Sequence, residues 1–166
     1  MSDLSSDVVV LGCGPTGLVV ASLLRRSGYG VLCLECDDAS CAGALVVTPP
    51  ALDVMDDLGW LRELSKLPGG ARCDGLELRG HGESVVLEED WHALVLPAEH
   101  GSVLMEEAAR DLGVEFLSGR AVVLPVWRDR RVVGVRVRDS EGGEATIDAK
   151  VVIDASGPRA FMASAL

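Results

Sequence analysis

The chain has 166 residues, of which 48% are hydrophobic, and it carries a formal net charge of −11, which suits one domain with a substantial core. The negative charge argues against binding to nucleic acid or to an anionic membrane surface, because both select basic proteins. No apolar run approaches the ~18 residues that span a bilayer, and the polar, acidic N-terminus is unlike a secretory signal. We therefore expect a cytoplasmic protein with no membrane partner.

Residues 8–35 predict a strand, a helix and a second strand. Residues 8–11 form a short apolar run of the kind found in buried parallel strands. Apolar residues at helical spacing then lead to Gly28, and residues 31–34 form a second apolar run that ends at Glu35. The turn between the first strand and the helix matches G-x-G-x-x-G and consists of Gly12, Cys13, Gly14, Pro15, Thr16 and Gly17.

This arrangement is typical of a nucleotide-binding unit. Gly12 permits the tight turn, Gly14 lets a pyrophosphate approach the backbone, and Gly17 lets the helix pack closely on the strand. The pyrophosphate would lie at the N-terminus of the helix, where free N–H groups and the helix dipole favour an anion. Glu35 is placed to accept hydrogen bonds from a ribose. The alternative is an ordinary strand–helix corner that is rich in glycine.

The five cysteines are irregularly spaced, with one C-x-x-C pair, Cys33 and Cys36. That pair lies at the end of a strand rather than at the start of a helix. A redox or metal-binding role therefore competes with the simpler interpretation of reduced thiols in a cytosolic protein. The three histidines show no ligand spacing, and we expect no metal site.

The rest of the chain predicts a mixture of helices and strands. Residues 36–48 are expected to form a long loop, and the basic residues 128–131 an exposed turn. The predicted elements are helices at 51–58 and 102–112, a helical turn or two in 60–67, a hairpin of 75–79 with 84–87, strands at 93–96 and 114–117, a three-stranded antiparallel meander within 120–147, and a strand at 151–153 that returns to the parallel sheet.

In this order the elements resemble the N-terminal part of FAD-dependent monooxygenases of the aromatic-hydroxylase type, and of the related flavin-dependent halogenases and geranylgeranyl-reductase-like enzymes. The similarity rests on Gly12-x-Gly14-Pro-x-Gly17-Leu with Glu35, on Pro50-Ala-Leu-x-x-Met-x-x-Leu-Gly59, on Leu104-x-x-x-Ala108 to Gly113-Val-Glu-Phe, and on Val151-Val-Ile-Asp154-Ala-Ser-Gly157. It implies an α/β FAD/NAD(P)-binding fold: a Rossmann-like parallel sheet with an inserted antiparallel meander, as a single domain over residues 1–166.

The resemblance also implies roles for particular residues. The first motif would hold the FAD pyrophosphate, and Glu35, with Cys36 after it, would lie at the adenosine ribose. Ala121 and Val122 would lie by the adenine. The turn of Asp154, Ala155 and Gly157 would close over the cofactor, although an aspartate there also suits a purely structural turn. The expected reductant is NADH, NADPH or a separate reductase.

The sequence departs from the family pattern at several places. Cys36 and Asp37 follow Glu35 where many relatives have a basic residue, residues 96–101 lack the usual arginine, and Ala160 replaces a serine. Relatives continue with a second half that carries much of the active site, so the fold is expected to be truncated and no catalytic residue can be assigned.

Three functions remain open from the sequence. The chain is an incomplete or split FAD-dependent oxidoreductase acting on a small-molecule substrate, a non-catalytic flavin-binding subunit, or a remnant that has lost the cofactor and acts through protein contacts. The edge that the second half would cover predicts a homodimer or a complex with a complementary polypeptide. The alternative is a compact monomer in which residues 60–96 fold back over that edge.

Overall fold

The computed structural model describes residues 4–35, 43–87, 91–159 and 161–162. The contacts between residues divide into two units, one of residues 1–40 with 105–166 and one of residues 41–104. In chain order the elements are β1 (Leu4–Leu11), α1 (Pro15–Arg26), β2 (Val31–Leu34), β3 (Ala44–Val47), α2 (Pro49–Asp57), α3 (Leu61–Leu64), β4 (Ala71–Cys73), β5 (Leu76–Gly80), β6 (Glu83–Leu87), β7 (Ala93–Pro97), α4 (Ala98–Asp111), β8 (Glu115–Leu117), β9 (Arg120–Arg128), β10 (Arg131–Asp139), β11 (Glu144–Asp154) and a 3₁₀ turn (Gly157–Arg159).

The first unit is built on a six-stranded sheet in the order β8-β2-β1-β11-β10-β9. Strands β8, β2, β1 and β11 run parallel, and β9, β10 and β11 form the predicted antiparallel meander. The parallel strands end in register, because Leu11 lies opposite both Leu34 and Asp154, and Leu34 lies opposite Leu117. Their carboxyl ends therefore meet at one edge of the sheet, which is where open α/β sheets bind ligands.

Strand β11 joins the two parts of this sheet. The sequence predicted that the meander ends at residue 147 and that a separate strand covers 151–153. This prediction is wrong, because the last strand of the meander and residues 151–153 belong to one continuous strand. Its first half pairs antiparallel with β10, and its second half pairs parallel with β1. The exposed polar residues Asp148 and Lys150 interrupt the apolar pattern without interrupting the backbone pairing.

A hydrophobic cluster in the first unit joins the parallel strands to the meander. Buried side chains from β1 and β2 contact buried side chains from β10 and β11, and the cluster consists of Val9, Leu11, Leu32, Leu34, Val135, Val137, Ile147 and Ala149. Burial of each large side chain contributes about 1.5–3 kcal/mol. Only Ser118 and Gly119 separate β8 from β9, so the start of β9 stays within about 11 Å of the end of β8.

The second unit contains a three-stranded antiparallel sheet, β3-β7-β4, and the two-stranded sheet β5-β6. The predicted long loop at 36–48 is wrong for residues 44–47, which form strand β3. These residues pair with β7, and Val47 is buried opposite Leu94. Residues 36–42 of that loop lie outside the described residues. A run of only four apolar residues gives little sequence signal until a partner strand is known.

Two further predictions concern the second unit and the helix that follows its sheet. The hairpin is confirmed, and its turn residues His81 and Gly82 have φ values of 51° and 84°, as a two-residue type I′ turn requires. Helix α4 begins at Ala98 rather than at residue 102. Gly101 lies inside it, where an added Cβ would touch the side chain of Leu45 at 3.4 Å. Of the helices described, none is both long and apolar enough to cross a bilayer.

Candidate functional site

The turn between β1 and α1 contains two glycines that the backbone packing requires. Gly12 has φ +103°, and a Cβ there would lie 2.5 Å from the carbonyl oxygen of Ala155. A Cβ at Gly17 would overlap the carbonyl oxygen of Gly12. Gly12 N–H donates to the carbonyl of Leu34 at 2.9 Å, and Ala155 N–H donates to the carbonyl of Leu11 at 2.8 Å. The turn is thereby fixed to the carboxyl edge of three parallel strands.

The backbone packing does not require a glycine at position 14. Gly14 is the N-cap of α1 with φ −70° and ψ 173°, which any residue can adopt, and no described atom lies within 4 Å of an added Cβ. The first hydrogen bond of the helix runs from Leu18 N–H to the carbonyl of Gly14 at 3.0 Å, so the N–H groups of Thr16 and Gly17 precede the helical ladder. Pro15 has no N–H to add. The absence of a side chain at Gly14 leaves the space in front of this helix start open to an anion.

Cys13 lies in the same turn beside Cys33, a fully buried residue of β2, and both are free thiols. A hydrogen bond between the two thiols, together with burial, raises the pKa of the Cys13 thiol, and the carboxylates of Glu35 and Glu106 add to the rise. Cys13 therefore stays protonated and neutral, which does not suit a nucleophile or a metal ligand. Cys36, the other member of the C-x-x-C pair, lies outside the described residues.

The remaining predicted nucleotide contacts lie near the same edge of the sheet. Glu35 is exposed directly after β2, and its N–H donates to the carbonyl of Leu117 at 3.3 Å. Ala121 is exposed at the start of β9, and Val122 is partly buried against the core cluster. Ala121 and Val122 directly follow Arg120, which lies within about 11 Å of Leu117, and their contact with the adenine stays a prediction.

Asp154 ends β11, and its carboxylate organises the turn that follows. Its Oδ1 accepts hydrogen bonds from the N–H of Ser156 at 3.0 Å and from the hydroxyl of Ser156, and Oδ2 accepts one from the N–H of Met162 at 2.7 Å. Partial burial raises the pKa of Asp154, but these hydrogen bonds outweigh it and hold the pKa below its usual value. Gly157 continues the turn with φ +69°. Contact of this turn with a cofactor stays a prediction.

Ser156 is the residue of this turn that the sequence analysis missed. Its hydroxyl donates to Asp154 and also accepts a hydrogen bond from the N–H of Phe161 at 3.1 Å. The Asp-x-Ser spacing was a usable signal, because both side chains favour local turns that bond to the backbone.

A pyrophosphate fits the geometry of this site. No described atom lies within 4 Å of a Cβ added at Gly14, and among the described residues no backbone carbonyl accepts from the N–H groups of Thr16 and Gly17. The Cys13 thiol stays neutral and therefore adds no negative charge beside a pyrophosphate. Within the described ranges, no group of three His, Cys, Asp or Glu side chains is arranged to hold a metal ion.

A family model described as FAD binding domain matches residues 5–166. The chain belongs to this family. Its cofactor is therefore FAD, and the predicted fold class and family resemblance are confirmed. The match covers both units, so this FAD-binding domain includes the residues of the second unit as well as the glycine turn.

Two relatives show the range of enzymes that contain a similar domain. The uncharacterized aromatic compound monooxygenase YhjG of Bacillus subtilis is 29% identical over 160 residues, which cover 91% of this chain and 31% of that protein. Menaquinone reductase of Mycobacterium tuberculosis is 32% identical over 152 residues, which cover 82% of this chain and 35% of that protein. The FAD-binding domain thus spans about a third of the length of these relatives.

Solved structures agree with this assignment. The FAD-binding domain is similar to p-nitrophenol 4-monooxygenase PnpA of Pseudomonas putida, with a TM-score of 0.71, 27% identity, and coverage of 93% of this chain and 41% of that one. The flavin-dependent brominase Bmp2 matches with a TM-score of 0.81 and 23% identity over 97% of this chain and 40% of that one. The second likeness shows the fold alone.

Proposed function

We propose that the chain is the FAD-binding part of an FAD-dependent oxidoreductase of the monooxygenase and halogenase type, present as an incomplete or split polypeptide. The main support is the open space at Gly14 in front of the first N–H groups of α1, which have no backbone partner among the described residues. A small-molecule substrate, NADH or NADPH as reductant and a cytoplasmic location are parts of this proposal. The second candidate function, a non-catalytic flavin-binding subunit, shares the same site.

In the proposed complex each part of the site binds a different part of FAD. The N–H groups of Thr16 and Gly17 bind the pyrophosphate, Glu35 accepts hydrogen bonds from the ribose, and the start of β9 contacts the adenine. The turn after Asp154 borders the cofactor and is held in shape by its own hydrogen bonds. FAD, when bound, supplies the redox chemistry, and the protein positions it.

Substitution of Glu35 tests this arrangement. Glu35→Ala should weaken FAD binding by about 1–3 kcal/mol, the scale of one hydrogen bond to a charged group, measured by flavin fluorescence titration of the apoprotein. Glu83→Ala is the matched control, because Glu83 is an exposed glutamate in the turn region of the β5–β6 hairpin. Equal affinity of Glu35→Ala and the parent would contradict the proposed ribose contact.

The two candidate functions differ in turnover. An enzyme that needs a second polypeptide should oxidise NADH or NADPH only after that polypeptide is added, and the flavin should be reduced in the process. A non-catalytic subunit should bind FAD with no nucleotide oxidation in either case. Steady-state absorbance at the reduced nicotinamide band distinguishes these results.

We also propose that the chain associates, as a homodimer or with a complementary polypeptide. The support is a set of exposed apolar side chains on the β5–β6 hairpin, where Leu78 lies opposite Val85 and they are 55% and 58% exposed. Large exposed apolar patches commonly mark interfaces. Light scattering at low concentration should give a mass above that of one chain. A stable species of one chain's mass that binds no apolar dye would contradict association.

A further inference from the structure

A separate small pocket lies entirely within the second unit. Its volume is about 190 Å³, and its apolar lining includes Leu52 of α2, Leu61 of α3 and Leu94 of β7. Pockets for drug-sized ligands have volumes of roughly 300–1,000 Å³. This pocket therefore suits a ligand no larger than a single small metabolite.

Polar side chains surround the apolar floor on one face of the sheet. Arg72 of β4 lies opposite Leu94 of β7, and Cys73 lies opposite Ala93. Asp74 and His92 each lie one residue beyond the ends of this ladder. Arg72, Asp74, His92 and Ser65 all line the pocket, and all four are exposed to solvent.

The charged side chains of this pocket have no partners within the part of the chain that the structure describes. Arg72 and Asp74 lie two residues apart, as Glu77 and Arg79 do on β5. Glu77 and Arg79 form two hydrogen bonds of 2.7 Å, whereas no hydrogen bond or ion pair joins Arg72 to Asp74 or engages His92. Two side chains of opposite charge thus line the same cavity without pairing with each other.

We propose that this pocket binds a free α-amino acid with an apolar side chain. The guanidinium of Arg72 pairs with the ligand carboxylate through two parallel hydrogen bonds, and the carboxylate of Asp74 accepts hydrogen bonds from the ligand ammonium. Leu52, Leu61 and Leu94 contact the apolar side chain of the ligand. A zwitterion carries both charges on one carbon atom, so it fits between two opposite charges that do not pair directly.

Calorimetric titration of the full chain with L-leucine tests the proposal. L-Leucine should bind saturably, whereas 4-methylpentanoate, which lacks the ammonium, and 3-methylbutylamine, which lacks the carboxylate, should each bind at least about tenfold more weakly, a loss of about 1.4 kcal/mol. If leucine, isoleucine, valine and phenylalanine all give no saturable heat up to about 10 mM, the proposal is wrong. Equal affinity for leucine and either singly charged analogue would also overturn it.

Matched arginine variants locate the binding in this pocket. Arg72→Ala and Asp74→Asn should each weaken leucine binding at least about tenfold. Arg62→Ala should not change it, because Arg62 is an 84% exposed neighbour on α3 that does not line the pocket. All three variants should bind FAD as the parent does, which separates this proposal from that of the nucleotide site. Unchanged leucine binding by Arg72→Ala would refute the assignment.

Discussion

Replacement of Gly14 by tryptophan tests whether the glycine turn binds a pyrophosphate. The backbone of Gly14 has φ −70°, and no described atom lies within 4 Å of an added Cβ. The free energy of unfolding of Gly14→Trp should therefore stay within about 0.5 kcal/mol of the parent value, as for most surface substitutions. The new side chain nevertheless occupies the space in front of the N–H groups of Thr16 and Gly17.

The expected loss of FAD affinity follows from those two donors. A hydrogen bond to a charged group contributes about 1.5–3 kcal/mol, so loss of both costs about 3–6 kcal/mol. The dissociation constant should then rise about a hundredfold to ten-thousandfold. Flavin fluorescence titration measures the affinity, and a thermal melt of the apoprotein measures the stability.

Gly17→Ala is the matched contrast. Its Cβ would overlap the carbonyl oxygen of Gly12, and overpacking of this kind costs typically 1–3 kcal/mol of stability, or about 2–4 °C of Tm per kcal/mol. Gly14→Trp should thus bind FAD much more weakly and melt at the same temperature as the parent. Gly17→Ala should instead melt at a lower temperature than the parent. The reasoning is refuted if Gly14→Trp binds FAD as tightly as the parent, or if it melts at a lower temperature than Gly17→Ala.

Three further predictions concern stability. Ser22 is fully buried in α1, and its hydroxyl has no hydrogen-bond partner among the described residues. Ser22→Ala should therefore stabilise the protein by about 1 kcal/mol. An unchanged or lower Tm would argue against this. The folded pKa of Asp154 lies below the ordinary aspartate value of 3.8, so its contribution to stability is present above about pH 3.8 and declines as the pH falls towards the folded pKa. Asp154→Asn should therefore be less stable than the parent at pH 7 and lose less stability below pH ~4, as measured by urea midpoints across that pH range. Equal acid sensitivity of variant and parent would count against the hydrogen bonds that Asp154 accepts. Arg130 has φ +64° in the β9–β10 turn, so Arg130→Gly should raise the urea midpoint by relieving about 1 kcal/mol of backbone strain, and a lower midpoint would contradict this.

The glycine turn was predictable from sequence because its requirements fall on consecutive residues. Each of its features depends on the absence of a side chain: the tight turn at Gly12, the open cap at Gly14 and the close contact at Gly17. A glycine in the sequence shows that absence without any structure. The β5–β6 hairpin was predictable for the same reason, since His81 and Gly82 provide the positive φ values of its turn.

Features that depend on distant partners were not predictable in the same way. Residues 44–47 become a strand because β7 supplies their backbone hydrogen bonds, and β11 stays continuous because β10 and β1 pair with its two halves. The bond from Met162 to Asp154 crosses a turn whose shape the sequence does not specify. The Arg72–Asp74 pocket likewise appears only when β4 lies beside β7.

The position of β11 has a consequence for how the protein is made. The first strand of the chain, β1, pairs with the last strand, β11: Leu4 lies opposite Ile147, and Val8 lies opposite Val151. During synthesis from the N-terminus, one edge of β1 therefore stays open until residues 147–154 leave the ribosome, and an open edge of an apolar strand readily pairs with other chains. Ribosome-bound chains that stop before Glu144 should need protection from aggregation, whereas chains that have released β11 can close the sheet.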